Sequence, residues 1–111
     1  MDAMLDARPG GAAVLRLSGR LDLLSAGEAK QRMTAAVEGG HRRLVVDLGE
    51  VSFIDSSGLG ALVGGLKAAR TAGGDLRIAR PSQQTRSVLK LTMLERVLRP
   101  YETVEEALAE F

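Results

Sequence analysis

The sequence predicts an α/β fold, a mixed sheet of four or five strands with about four helices packed on it. Three observations carry this. Apolar residues switch along the chain between a period of two and a period near 3.6. Glycine-rich breaks at Pro9-Gly10-Gly11, Gly39-Gly40 and Gly73-Gly74 separate the runs. The resulting order is strand, strand, helix, strand, helix, strand, helix, short strand, helix. Such alternation implies helices layered on a sheet. The 111 residues fit one domain, residues 1–111.

Composition narrows the function classes. The chain is 45% apolar but only 3% aromatic, so its core must be built from Leu, Val, Ile, Ala and Met. A net charge of +1 gives no global field for nucleic acid or an anionic membrane. With no cysteine there is no disulfide scaffold and no thiolate metal site, which suits a reducing cytosol. Met1-Asp2-Ala3-Met4-Leu5-Asp6 is not a secretory leader, and no apolar run approaches the roughly 18 residues of a membrane span. The expectation is a soluble cytoplasmic protein, monomeric when free, with no cofactor.

Met4 to Ala7 reads as a short edge strand, and Arg8-Pro9-Gly10-Gly11 as a turn into a second strand, Ala12 to Gly19. Together they form an antiparallel hairpin. Val14, Arg16 and Ser18 share one face of the second strand, and Ala13, Leu15 and Leu17 the other. Arg20 to Leu24 leads into a helix, where Ser25 and Glu28 have capping-box spacing. Ala26, Ala29, Met33, Ala36 and Val37 recur at helical steps until Gly39-Gly40. Leu44 to Leu48 is continuously apolar, as in a strand covered on both faces. Gly49-Glu50 reads as a turn and Val51 to Ile54 as a packed loop.

A second helix is expected from about Ser57 to Thr71, ended by Ala72-Gly73-Gly74. Asp75 to Ala79 is the next strand. Pro81-Ser82 opens a third helix with Val88, Leu89 and Leu91 on its apolar face. Met93-Leu94 and Val97-Leu98 cover a connection and a short last strand. Thr103 and Glu106 repeat the capping-box spacing before a final helix bearing Val104, Ala107, Leu108 and Phe111.

The stretch Asp55-Ser56-Ser57-Gly58-Leu59-Gly60 lies at the turn from the buried strand region into the second helix. Either Asp55 or Ser56 is a natural N-cap. Ser57 then sits at or next to the first helical residue, its hydroxyl free of capping. Gly58 and Gly60 keep the corner clear of bulk. A phosphate on Ser57 would add roughly −1.5 to −2 charge. A helix N-terminus favours such charge by about 0.3–1 kcal/mol. The fold should tolerate it, while whatever docks at the corner would not.

Enzymatic readings fare worse. Neither Ser56 nor Ser57 stands in a Gly-x-Ser-x-Gly elbow. The one histidine, His41, lies at the opposite end of the preceding strand. A phosphate-binding Gly-x-x-x-x-Gly-Lys loop is absent, and Val63 breaks the dinucleotide pattern that Gly58 and Gly60 begin. Asp22, Asp47 and Asp55 are too dispersed to signal a metal site. On the second helix, Ser57, Ala61, Gly64 and Ala68 form a nearly bare face, with Gly60 and Gly65 alongside. Each glycine costs about 1 kcal/mol there relative to alanine. Close packing on a neighbouring element and a smooth docking surface are both open explanations.

Asp55 to Gly60, preceded by Leu44 to Leu48 and by Phe53-Ile54, resembles the core of the STAS domain of anti-sigma factor antagonists. Gly19-Arg20-Leu21-Asp22 resembles that family's Gly-x-Leu-Asp motif, and Ala72-Gly73-Gly74-Asp75-Leu76 its turn into the next strand. The resemblance implies a mixed sheet with packed helices and a partner-switching role. The unphosphorylated antagonist binds an anti-sigma factor, which is also an ATP-dependent serine kinase, and so frees the sigma factor. The kinase phosphorylates the serine matched by Ser57 and ends the interaction, and a metal-dependent serine phosphatase reverses this. The expected partner surface comprises Asp22, Asp55, Ser56, Ser57, Gly58, Gly60, Ala61 and Gly64, with no catalytic residue and no metal. The other role compatible with this resemblance is a STAS-like scaffold or regulatory subunit of a stress-signalling complex or a lipid transporter.

Overall fold

The computed structural model describes residues 1–109 and Phe111. Five strands form one sheet in the order β1-β2-β3-β4-β5: Asp2–Arg8, Ala12–Leu21, Arg43–Ile54, Asp75–Ala79 and Pro100–Tyr101. β1 and β2 pair antiparallel across a 3₁₀ turn, Pro9–Gly11, and the remaining pairs are parallel. Helices α1 (Ala26–Glu38), α2 (Ser56–Thr71) and α3 (Gln83–Leu91) connect successive parallel strands, and α4 (Val104–Ala109) follows β5. Each crossover steps the same way across the sheet. Right-handed connection therefore lays α1, α2 and α3 on one face.

The main core lies under those three helices. Ala13, Leu15 and Leu17 of β2 and Leu44, Val46 and Leu48 of β3 meet Met33 of α1, Leu62 and Leu66 of α2 and Leu89 of α3. The other face of the sheet carries a small second cluster, Val14, Val45 and Ala79 under Ala107 of α4, with Phe111 packed on it. The alternation expected along β2 is therefore observed. No helix among the described residues is long and apolar enough to cross a membrane.

Two differences from the expected elements matter for the site. First, β3 does not turn at Gly49-Glu50. It runs on to Ile54, paired with β2 as far as Leu21, across register shifts at Arg16/Ser18 and Gly19/Arg20. Gly19 takes φ 97° at the second shift, a conformation glycine adopts without a Cβ penalty. A Cβ on Gly49 would lie 2.3 Å from the Arg80 guanidinium, which rests on the strand there, so a side chain would have to displace Arg80 from Asp47. Second, β4 pairs with β3 only over Arg43 to Asp47. The distal halves of β2 and β3 thus project as a two-stranded arm. Gln84 of α3 covers the arm's open edge: its Oε1 accepts the Ile54 N–H at 3.0 Å and its Nε2 donates to the Ile54 carbonyl at 2.7 Å.

Smaller corrections concern the ends of elements. Leu91 is exposed rather than on the buried face of α3. The last strand is Pro100–Tyr101; Met93 to Leu98 form turns, from which Leu98 reaches the core. Thr103 does cap α4, accepting the Glu106 N–H at 3.1 Å.

Asp47, only 1% exposed, anchors the α4 side of the sheet. It accepts two bonds from Arg80 (2.9 and 2.8 Å), one from Arg16 (3.4 Å) and the Gly49 N–H (3.0 Å). Burial pushes its carboxyl up, but the Arg80 guanidinium and the Gly49 N–H outweigh burial and hold it below the ordinary carboxylate value. A depressed folded-state pKa contributes stability above the unfolded value and loses it as pH falls through the folded one. Asp47→Asn should cost about 1–3 kcal/mol at neutral pH, since both arginines are part-exposed and can be rehydrated. Urea melts across pH should show the gap between variant and wild type constant above pH ~5 and closing below about pH 4.

Candidate functional site

The β2–β3 arm ends where β2 passes into the Asp22–Ser25 loop and β3 passes through Asp55 into α2, so the two junctions lie side by side. Asp55 holds them together. Its backbone is extended, as an N-cap requires, and its Oδ1 accepts the Gly58 N–H at 2.9 Å. Its Oδ2 accepts the Leu23 N–H at 3.2 Å, and its own N–H donates to the Leu21 carbonyl at 3.3 Å. Of the two capping candidates, the structure selects Asp55.

Ser56 and Ser57 are then the first two residues of α2, with Ser56 exposed and Ser57 half-buried. Gly58 is buried, and a Cβ on it would lie 2.1 Å from the Leu21 carbonyl oxygen. Its lack of a side chain lets α2 sit against β2. Gly60 faces open space, with nothing within 4 Å of a would-be Cβ.

The bare face of α2 resolves mostly in favour of packing. Ala61 is buried in the main core, a Cβ on Gly64 would meet the Lys30 side chain at 2.9 Å, and one on Gly65 would meet Met33 at 2.6 Å. Small residues there let α1 approach. Of the positions expected to meet a partner, Asp22, Asp55, Ser56, Ser57 and Gly60 lie together at the corner. Gly58 and Ala61 are turned inward, and Gly64 lies under Lys30.

Asp22 belongs to the same corner. Its Oδ1 accepts the Leu24 N–H at 3.1 Å, and its Oδ2 accepts from Arg20 at 3.2 Å. Partial desolvation raises its pKa, but Arg20 and the Leu24 N–H prevail and lower it. Arg20 also lies over the Phe53 ring, 4.4 Å from its centre. The expected Ser25–Glu28 capping box does not form. Ser25 has helical dihedrals, and its hydroxyl turns back to donate to the Arg20 carbonyl at 2.6 Å and to accept the Asp22 N–H at 3.0 Å. Ser25 thus fixes the loop rather than the helix end, and Glu28 pairs with Arg32 instead.

Sequence reasoning missed Leu23 and Leu24, which are 75% and 94% exposed beside Asp55. The signal was available: two adjacent leucines stand between Asp22 and Ser25, both turn-forming types, outside any helical or strand period. An exposed apolar pair beside polar capping groups is the composition of a docking patch. His41 precedes β3, at the end opposite the corner, and its N–H is tied to the Ala36 carbonyl at 3.0 Å. Asp47 lies in its own arginine network, so Asp22, Asp47 and Asp55 do not converge, and no cluster of metal-ligating side chains is found among the described residues.

Comparison with known proteins identifies the family. The STAS domain profile matches residues 4–107. A Thermotoga neapolitana protein described as a candidate anti-sigma factor antagonist is 35% identical over 71 residues. That match covers 64% of this chain and 63% of the relative, so just under two thirds of the relative's length is spanned. An anti-sigma-B factor antagonist of Staphylococcus aureus is 31% identical over 91 residues, covering 82% of this chain and 84% of the relative. The crystal structure of an anti-sigma factor antagonist from Mycobacterium paratuberculosis superposes with a TM-score of 0.86 at 27% identity, over 98% of this chain and 92% of that one. The chain belongs to the STAS-domain anti-sigma factor antagonist family.

Proposed function

We propose that this protein is a phosphorylation-switched antagonist that acts by binding alone. Unphosphorylated, it docks through the Asp22–Leu24 loop and the start of α2 onto an anti-sigma factor that is also a serine kinase, and the sigma factor is released. Phosphorylation of Ser57 ends the complex, and a serine phosphatase restores it. In this reading the chain works in the cytoplasm. The observation that carries it is the division of labour at the corner. Asp55 does all the capping, so the Ser57 hydroxyl at the second helical position has no structural duty that a phosphate would disturb. Incubation with the cognate kinase and ATP should add one phosphate, read by intact mass. Ser56→Ala should still take it and Ser57→Ala should not. Modification at another residue, or none, would overturn the assignment.

Leu24 supplies the apolar part of the interface. Leu24→Asp should leave the urea midpoint within error, because the side chain makes almost no intramolecular contact. Titration calorimetry against the partner should show a loss of about 1–3 kcal/mol, the range for a residue near the centre of an interface.

A further inference from the structure

The geometry points to a second interaction surface, the free edge of β1, and to a second copy of this chain as its occupant. The sheet has two edges of very different character. β5 is two residues long and opens with a proline, which cannot donate, so it is blunted. β1 presents seven residues, six of them exposed, including Met4 and Leu5 at 69% and 48% exposure. A long edge strand without a partner is a template for another strand.

The sequence Asp2-Ala3-Met4-Leu5-Asp6-Ala7-Arg8 is complementary to itself in charge at its ends and in apolar character at its centre when reversed. Two-fold antiparallel pairing requires the axis to stand perpendicular to the sheet. Odd residues then face odd residues and even face even. The register centred on Leu5 pairs the whole strand. It sets Asp2 of each copy opposite Arg8 of the other, Ala3 opposite Ala7, Met4 opposite Asp6, and Leu5 opposite its own equivalent. The registers centred one residue away, on Met4 or Asp6, use fewer residues and place aspartate opposite aspartate. Charge thus selects one register and rejects its neighbours.

The two faces of the edge agree with this. Ala3, Leu5 and Ala7 lie on the α1 side, as their partners Leu17, Leu15 and Ala13 are in the main core. There the small residues Ala35 of α1 and Gly39 just past its end, with the Arg32 side chain alongside, leave a groove of about 230 Å³ beside Leu5, where the second Leu5 would seat. Asp2 makes no ion pair among the described residues, and Arg8 pairs with its own exposed Asp6 at 3.0 Å, leaving its fork open to a second carboxylate. Two five-stranded sheets would become one ten-stranded sheet. The proposed dimer differs from the expectation of a free monomer and does not depend on the switch at Ser57.

Sedimentation equilibrium of the full chain, from micromolar to millimolar concentration, tests the dimer. The mass should double, Asp2→Arg should return it to that of one chain by setting Arg against Arg, and Asp2→Arg/Arg8→Asp should restore the dimer. Leu5→Lys, with circular dichroism to check folding, should also give a monomer; if it fails to fold, the charge swap alone decides. A wild-type chain that stays monomeric throughout, or a dimer indifferent to Asp2→Arg, would overturn the proposal.

Discussion

Ser57→Asp should abolish partner binding while leaving the fold as stable as before, or slightly more so. The two effects have opposite signs because the same charge meets two environments. Within the chain it sits in the first turn of α2, where the exposed N–H groups favour an anion by about 0.3–1 kcal/mol. Against a docked partner it is a charge forced into an interface beside Asp22 and Asp55, which already supply negative charge there. Burying or repelling such a charge costs about 2–4 kcal/mol, roughly 30- to 1,000-fold in Kd. Calorimetry should therefore show no measurable heat where Ser57→Ala still binds, and urea melts should show an equal or higher midpoint. A variant that unfolds would mean that the hydroxyl has a structural role. One that binds like wild type would mean that the partner docks elsewhere.

The sheet-and-helix order was legible in the sequence because each element carries its own periodicity and its own stop. Asp75–Ala79, bounded by Gly73-Gly74 and Pro81, is the clearest instance. What was not legible depended on partners far along the chain. Gly49 reads as a turn until Arg80, 31 residues later, is seen lying where its side chain would be. Ser25 reads as a helix cap until the Arg20 carbonyl claims its hydroxyl. The two-residue β5 is too short to carry any period. At the site, local chemistry narrowed the cap to Asp55 or Ser56 and put Ser57 at the start of the helix, and the Gly58 N–H decides for Asp55. The bare face of α2 did not, because small residues serve close packing and open docking equally well. Only the location of α1 separates Ala61 and Gly64 from Gly60.

That separation can be measured inside one hexapeptide. Gly58→Ala and Gly60→Ala make the same chemical change two residues apart on one helix, and they should move stability in opposite directions. Alanine is the better helix former by about 1 kcal/mol, and at Gly60 nothing opposes the gain, so Gly60→Ala should raise stability by roughly 0.5–1 kcal/mol. At Gly58 the new methyl would lie 2.1 Å from the Leu21 carbonyl oxygen and 2.8 Å from its carbon. These are backbone atoms of a fully buried residue and cannot swing aside as a side-chain tip can. To make room, α2 must lift or β2 must retreat. Either movement stretches the Asp55 N–H bond to that same carbonyl, and with it the cap that ties Leu23 to Gly58. Overpacking of this kind costs typically 1–3 kcal/mol, and the rigidity of both sides places this case at about 3 kcal/mol or above. Set against a total stability of roughly 5–15 kcal/mol, that is a large fraction. It should appear as a much lower urea midpoint with the slope unchanged. The two outcomes also test the site. Gly60→Ala, more stable but carrying a methyl on the open side of the corner, should weaken partner binding only if the interface passes over that position. Gly58→Ala should weaken binding only through loss of the folded corner, and lowering the temperature to refold it should restore the affinity.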